Sequence, residues 1–167
     1  MGIKAKFDKN YVRKEIAAQM AKIEGSILQI LAFVGEDFVS KARQALSIDA
    51  GLFKKGDYTD RTANLRGSIG YFILKNGRIV KRGLEGTSEG KSAALSMLSD
   101  VKKVEKGFQL VGVAGMDYAS HVEAMGYNVI TSQAEVALVD LSSMLRTFAA
   151  KKGFSIDVRN GVVTAMR

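Results

Sequence analysis

The chain contains one histidine, so any histidine-based chemistry must use it. His121 lies four residues after Asp117 and two before Glu123, residue types that can hold a metal ion or transfer a proton. On a helix, however, Asp117 and His121 share a face while Glu123 points elsewhere. A metal site needs three or four converging ligands with supporting contacts. We therefore predict no catalytic residue and no metal site, and expect His121 on a helix face beside an N-capping aspartate.

Other catalytic and cofactor signatures are weak or missing. The chain has no cysteine, which excludes disulfides, thiolate metal sites and cysteine nucleophiles. Residues 112–115 read Gly-Val-Ala-Gly, without the spacing of a dinucleotide-binding loop. Glu85 and Glu89 flank a glycine-containing loop, but calcium loops carry denser oxygen ligands. We therefore predict that the protein is not an enzyme and has no cofactor; a small enzyme that uses His121 with Asp117 or Glu123 is an alternative.

Residues 58–69 form the first of two segments that each combine an apolar packing residue, a charged side chain and a short helical turn. Thr62 can cap a short helical turn, and Leu65 is an apolar anchor one turn later. Arg66 places a guanidinium just before a strand, where it can form a bidentate ion pair. Ser68 and Ile69 then begin the strand with opposite faces.

Residues 117–126 form the second segment. Tyr118 and Val122 are four residues apart and form one packing stripe, next to Ala119. Glu123 can pair with a basic group, and Gly126 supplies a C-terminal stop. We hypothesise that an ion pair between Arg66 and Glu123 joins the two segments. A charge-swapped double variant would then recover part of the stability that either single variant loses.

The two segments together carry a resemblance to a known family. A Thr-x-x-Leu-Arg-x-Ser-Ile stretch that leads into a strand, followed by Tyr-Ala-x-x-Val-Glu-x-x-Gly, resembles the HK97 gp10-like family of phage head–tail joining and tail-completion proteins. The resemblance covers about residues 10–150 and implies a long N-terminal helix packed, with further helices, on a small antiparallel sheet. The residues that carry the family motif, and with it an assembly role, are Thr62, Leu65, Arg66, Ser68, Ile69, Tyr118, Ala119, Val122, Glu123 and Gly126.

The resemblance also implies a function. The protein would be a structural virion protein of a tailed bacteriophage or prophage, located at the neck or tail and made in the host cytoplasm. It would form a homo-oligomeric ring, often hexameric in related folds, and contact phage connector and tail proteins. DNA that passes through the lumen of the ring would be a further contact, and no membrane partner is expected.

The elements that must position these segments follow from periodicity and turn residues. Apolar residues at helical spacing predict a helix from Tyr11 to Leu46, capped by Asp8 or Asn10, with a bend or interruption at Gly35. A strand over residues 68–75, an Asn76-Gly77 turn and a return strand over 78–82 predict a hairpin. Further predictions are a helix over residues 92–104, a strand over 108–114 and a short helix after Asp117.

The C-terminal third is predicted to be a helix followed by a hairpin. Ser132 and Glu135 have the spacing of a capping box that opens a helix to Lys152, which Gly153 ends. Residues 154–167 read as a C-terminal β-hairpin extension with an Asn-Gly turn, whose strands could pair with a neighbouring subunit. The fold class expected is a single α+β domain over residues 1–167 with an antiparallel sheet.

The net charge of +8 leaves a second function open. A basic surface suits nucleic acid, an anionic membrane or an acidic protein partner. The alternative to the phage assembly role is therefore a nucleic-acid-binding module that uses the basic N-terminal helix, with a steep salt dependence of binding. The sequence has no run of about 18 apolar residues, so no membrane span is expected.

Overall fold

The structure is a computed structural model that describes residues 8–45, 64–117, 119–124, 129–159 and 162–166. It confirms the predicted α+β class, with a long N-terminal helix and further helices packed on an antiparallel sheet. The elements in chain order are α1 (Lys9–Ala45), α2 (Asn64–Ser68), β1 (Ile69–Lys75), β2 (Arg78–Leu84), α3 (Ser88–Met97), β3 (Phe108–Ala114), α4 (Ala119–Ala124), α5 (Thr131–Lys152), β4 (Ser155–Arg159) and β5 (Val162–Met166). The sheet has five strands in the order β2-β1-β3-β5-β4.

Strand β1 separates two apolar layers because alternate side chains of a strand point to opposite faces. Ile69, Tyr71 and Ile73 belong to the larger core cluster, which α1 and α5 cover. Phe72 and Leu74 belong to the smaller cluster, which includes residues of α3 on the other face of the sheet. β1 is therefore buried along nearly its whole length, and the order of layers is α1 and α5, sheet, α3.

The predicted turn between β1 and β2 is confirmed. Asn76 and Gly77 both have positive φ, 52° and 76°, as the central residues of a type I′ turn require. Asn76 also exchanges two hydrogen bonds with Gly107, from backbone to backbone and from Gly107 N–H to Asn76 Oδ1, each 2.9 Å. The hairpin is thereby tied to the start of β3.

Gly35 does not interrupt α1, although an interruption was one of the two outcomes expected from the sequence. The helix is continuous from Lys9 to Ala45, and Asp8 caps its start by accepting a hydrogen bond from Asn10 N–H at 2.9 Å. A Cβ atom at Gly35 would lie 2.6 Å from the Tyr71 ring. The glycine is therefore there because an aromatic ring packs directly against the helix backbone. The Tyr71 hydroxyl donates to Glu36 Oε1 at 2.6 Å, just beyond that contact.

The bounds of α3 differ from the prediction at both ends. The helix begins at Ser88 because Thr87 accepts a hydrogen bond from Gly90 N–H and caps it. It ends at Met97 rather than at Val104. The buried side chain of Gln109 binds the segment that follows, donating to Lys102 O and accepting from Val104 N–H. These bonds hold residues 102–104 against β3 and outside the helix.

The helix α5 begins at Thr131, and the predicted Ser132–Glu135 capping box is wrong. Its N-cap residue is Ile130, which makes no side-chain cap, so the cap must come from elsewhere. Gly153 ends the helix in the left-handed conformation at φ 75°, as predicted. The C-terminal hairpin of β4 and β5 is confirmed, although its Asn160-Gly161 turn lies outside the described residues. β5 also pairs with β3, which makes this hairpin part of the main sheet.

Candidate functional site

A buried serine joins the first motif segment to the residues directly before the second. Ser68 donates its hydroxyl to Leu65 O at 2.8 Å and accepts a hydrogen bond from Met116 N–H at 3.3 Å. The backbone N–H of Gly115 also donates to Ser68 O at 3.2 Å. The end of α2 is thereby joined to the turn that leads into α4. One hydroxyl and three backbone groups form this junction, which no spacing in the sequence indicated.

Most of the motif side chains are core residues. Leu65, Ser68 and Ile69 are fully buried, and Ala119 and Val122 nearly so. All four apolar members belong to the larger core cluster. These five side chains therefore stabilise the fold and are not accessible to a partner. Thr62, Tyr118 and Gly126 lie outside the described residues.

Glu123 caps α5, and the hypothesised Arg66–Glu123 ion pair is wrong. Glu123 Oε1 accepts hydrogen bonds from the backbone N–H groups of Ile130 and Thr131, each at 2.9 Å. The Thr131 hydroxyl contacts both carboxylate oxygens, at 2.9 and 2.8 Å. Burial by itself would raise the pKa of Glu123, but these hydrogen bonds outweigh it and lower the pKa. The charge also faces the positive end of the α5 dipole.

We expect the cap to make stability depend on pH. A carboxyl group whose pKa is lowered by folding stabilises the protein above its unfolded pKa, about 4.3, and the stabilisation is lost as the pH falls through the lower folded value. Glu123→Gln should therefore be less stable than the wild type by about 1 kcal/mol at pH 7. Urea unfolding at pH 7 and near pH 3 measures this difference, which should shrink at the lower pH. An equal difference at both values would show that the charge plays no part in the cap.

Arg66 lies beside a second arginine that the sequence analysis missed. Arg43 in the last turn of α1 donates to the backbone oxygens of Ile69 at 2.9 Å and of Glu85 at 2.7 Å, and pairs with the Glu85 carboxylate at 3.2 Å. It thereby ties the end of α1 to the start of β1 and the end of β2. Arg66 and Arg43 line the same two surface cavities together with Glu85. Because two of the bonds go to backbone oxygens, no pairing of charges in the sequence could have identified Arg43.

The residue types that could do chemistry do not form a cluster. His121 and Asp117 are exposed, and the described part of the chain holds no group of three His, Cys, Asp or Glu residues suited to a metal ion. Residues 86–90 read Gly-Thr-Ser-Glu-Gly, the spacing of a nucleophile elbow. Both glycines of this stretch pack against Gly67. A Cβ atom added at Gly86 would lie 2.6 Å from the Cα of Gly67, and one added at Gly90 would lie 3.0 Å from its carbonyl carbon. The close approach of the α2 backbone to the start of α3 and to the residues just before it explains both glycines without catalysis.

Exposed apolar side chains recur along the N-terminal part of α1, residues 9–22, which we call the N-terminal arm. The helix has 37 residues, roughly 55 Å at the usual rise per residue. The helix first contacts the rest of the protein at Ile23, which packs against the larger core cluster, and at Glu24, which pairs with Lys75 of β1 at 2.6 Å. Every residue of the arm is exposed. Ile16 and Met20 are 58% and 54% accessible to solvent. The arm thus presents large apolar side chains away from the core.

An apolar groove lies between α1, α5 and the sheet, and we call it the α1–α5 groove. Its cavity has a volume of about 220 Å³ and opens at the surface. The residues that form its walls include Phe38, Tyr71, Leu110, Ala134, Leu138 and Leu141. Among the described residues, no charged side chain lines it. The groove can therefore accept an apolar group from a partner.

The helix α1 also bears on the question of a membrane. By length and composition, its stretch Lys9–Gln44 is long and apolar enough to cross a bilayer. In the 18-residue segment that meets this criterion, 17% of the residues are buried within the protein. This is weak evidence, because a core helix of a soluble protein meets the same criteria. The second half of the helix belongs to the core, with Leu31 and Ala42 fully buried. The absence of a membrane partner stays a prediction.

Comparison with models of known families, with curated proteins and with solved structures finds no match to this chain. The resemblance to the phage family therefore rests on the two motif segments alone.

Proposed function

We propose that the protein is a structural subunit of a tailed bacteriophage or prophage, which joins head to tail or completes the tail as part of a ring. Its action is assembly: one face of the ring recognises the connector and the other the tail. The motif segments support this assignment through the family resemblance. The buried motif residues and the Glu123 cap stabilise the fold of the subunit, and other surfaces bind the neighbouring subunits.

The observation that carries the proposal is the N-terminal arm. A monomer normally exposes apolar side chains singly, whereas contiguous exposed apolar surface marks an interaction site. In the arm, Val12, Ile16 and Met20 are all exposed and recur every four residues along one helix face. The same stripe continues into Ile27 and Leu31, which are core residues. A surface that is built like a core but left uncovered fits a subunit that is completed by assembly.

The proposal is tested by disrupting the gene in the phage or prophage that encodes it. Electron microscopy of the lysate should then show unjoined heads and tails, or unstable particles. Supplying the wild-type gene in trans should restore joined particles, which controls for effects on neighbouring genes. Normal infectious particles from the disrupted phage would rule the function out.

A nucleic-acid-binding module is the second candidate, and the arm favours it as well. Lys9, Arg13, Lys14 and Lys22 are all exposed on this helix, against one acidic residue, Glu15. Neutralising several phosphates would make duplex binding fall steeply with salt. A titration of the full chain with duplex DNA at two salt concentrations separates the candidates, because assembly through apolar side chains should persist at the higher salt.

A further inference from the structure

We infer that the N-terminal arm of one copy docks into the α1–α5 groove of a second copy. The inference rests on the proposed ring assembly and names its subunit contact. The exposed apolar stripe of the arm would bind the apolar groove. Each copy would then contact one neighbour through its arm and the other neighbour through its groove.

The arm and the groove match in size and polarity. Val12, Ile16 and Met20 lie on one face of the arm within the width of an ordinary apolar helix stripe, about 100°. An apolar cavity of about 150 Å³ binds a benzene-sized group. The groove, at about 220 Å³, therefore has room for one or two apolar side chains. Ala134 and Ala137 on its α5 wall are small, which permits close approach of another helix.

The arm cannot reach the groove of its own chain. Phe38, on the α1 wall of the groove, is 22 residues beyond Ile16 in the same unbroken helix. At the usual rise per residue the two positions are roughly 33 Å apart along the helix axis. A continuous helix cannot fold back over that distance, so an arm in the groove must belong to another molecule.

The charges around the two surfaces are complementary. Asp37 on α1 and Asp140 on α5 each adjoin in sequence a residue that lines the groove, and the charges of both act on Lys41, which places them together where the two helices meet. Lys41 is the basic side chain among them; it pairs with Asp37 at 2.6 Å. The hydrogen bond to Asp37 and the charges of Asp37 and Asp140 raise the pKa of Lys41. Two carboxylates and one ammonium group therefore meet beside the groove, and the sum of their charges is negative.

The arm carries the opposite sign. Its basic residues are Lys9, Arg13, Lys14 and Lys22, and Glu15 is its one acidic residue. Opposite charges around an apolar contact steer the two surfaces together and fix their register. A second copy of this chain is therefore the partner that the apolar match and the charges favour together.

The contact is head to tail, because the arm of one copy meets the groove of the next. Such a heterologous interface generates a closed ring if the rotation between copies closes, and a filament if it does not. If the rotation closes, this one interface is sufficient for the ring expected of the proposed function.

Cysteine cross-linking tests the contact directly, because the chain has no cysteine of its own. Three single variants of the full-length protein are made: Met20→Cys in the arm, Ala134→Cys in the groove, and Val139→Cys as a control. Val139 is on the same helix as Ala134, is 68% exposed and does not line the groove. Pairs of variants are mixed, treated with a short thiol-reactive cross-linker and separated on a denaturing gel. Thermal unfolding of each variant confirms that it folds.

The mixture of Met20→Cys with Ala134→Cys should yield roughly tenfold more cross-linked mixed dimer than the mixture with Val139→Cys, if docking is favoured by about 1.4 kcal/mol over random encounter. Equal yields in the two mixtures would overturn the inference. So would efficient cross-linking of Met20→Cys to itself, which would show that arms pair with arms. A protein that stays monomeric at its highest soluble concentration, while its arm binds duplex DNA or anionic vesicles, would overturn it as well.

The result is separable from that of the gene disruption. If the disrupted phage makes unjoined particles but the groove variant does not cross-link, the function stands and the contact is wrong. If the groove variant cross-links but the disrupted phage makes normal particles, the contact stands and the phage function is wrong.

Discussion

The double variant Ile16→Asp, Met20→Asp is expected to abolish self-association while the protein stays folded. Both side chains are more than half exposed on the N-terminal arm, so their replacement removes no core contact. Exposed substitutions usually change stability by less than about 0.5 kcal/mol each. Loss of two central apolar side chains from an interface removes about 2 kcal/mol or more each, and a buried aspartate adds a desolvation penalty. The dissociation constant should therefore rise by roughly a thousandfold.

Analytical ultracentrifugation over a concentration series measures this change, and a thermal melt of the same samples reports the fold. Leu95→Asp is the matched control. Leu95 is exposed and apolar like the arm residues, but it lies on α3, across the sheet from α1. The control should associate like the wild type. Association that survives the arm substitutions would show that another surface joins the subunits.

The same arm variant extends the test to the particle. Supplied in trans to a phage with the disrupted gene, it should fail to restore joined particles, whereas Leu95→Asp should restore them. An arm variant that restores infectivity would separate the phage function from the arm.

Of the substitutions proposed for this chain, Gly115→Ala is expected to lower the free energy of unfolding most. A Cβ atom at Gly115 would meet the backbone nitrogen of Ala94 and lie 2.5 Å from the carbonyl carbon of Ala93. No side-chain rotation relieves a contact with backbone atoms, so α3 would have to move away from the end of β3. Overpacking in a core destabilises by about 1–3 kcal/mol and occasionally more. We expect the free energy of unfolding to fall by about 3 kcal/mol, because the same displacement would also disturb the hydrogen bond from the N–H of residue 115 to Ser68 O.

Gly25→Ala is the control with the same chemical change and the opposite expected sign. A Cβ atom at Gly25 would meet nothing within 4 Å, and the residue lies inside α1. Alanine in a helix interior is more favourable than glycine by about 0.5–1 kcal/mol. Urea unfolding of both variants gives the two free energies. A neutral Gly115→Ala would show that α3 does not approach the end of β3 this closely.

The sequence was sufficient wherever one local rule decides the structure. The Asn76-Gly77 turn, the strand Phe108–Ala114 and the stop at Gly153 are where the sequence predicted them, because backbone conformation or a period of two residues determines each. The extent of α1 followed in the same way from its apolar period. The sequence-based account of Gly35 failed because the aromatic partner is 36 residues further along the chain.

The candidate site was predictable only in part. The two motif segments were identified as important, but the junction of the first with the residues directly before the second is made by Ser68 and backbone groups. The predicted partner of Glu123 was an arginine, yet its partners are the N–H groups that open α5. Free N–H groups at a helix start attract any nearby carboxylate, and only the tertiary fold determines which one is near.

By itself, the sequence determined the basic charge, which is a sum over all residues. It also determined the fold class, the long amphipathic helix and the hairpins, because their patterns depend on residues close together along the chain. The tertiary structure alone decided which part of that apolar stripe is core and which is arm. The stripe runs without a break from Val12 to Phe38, but the sheet and α5 cover only its second half. Burial depends on where other elements end, and a periodic pattern contains no information about that. For the same reason, the groove that could receive the arm could not be found from the sequence, because helices and strands far apart along the chain form its walls.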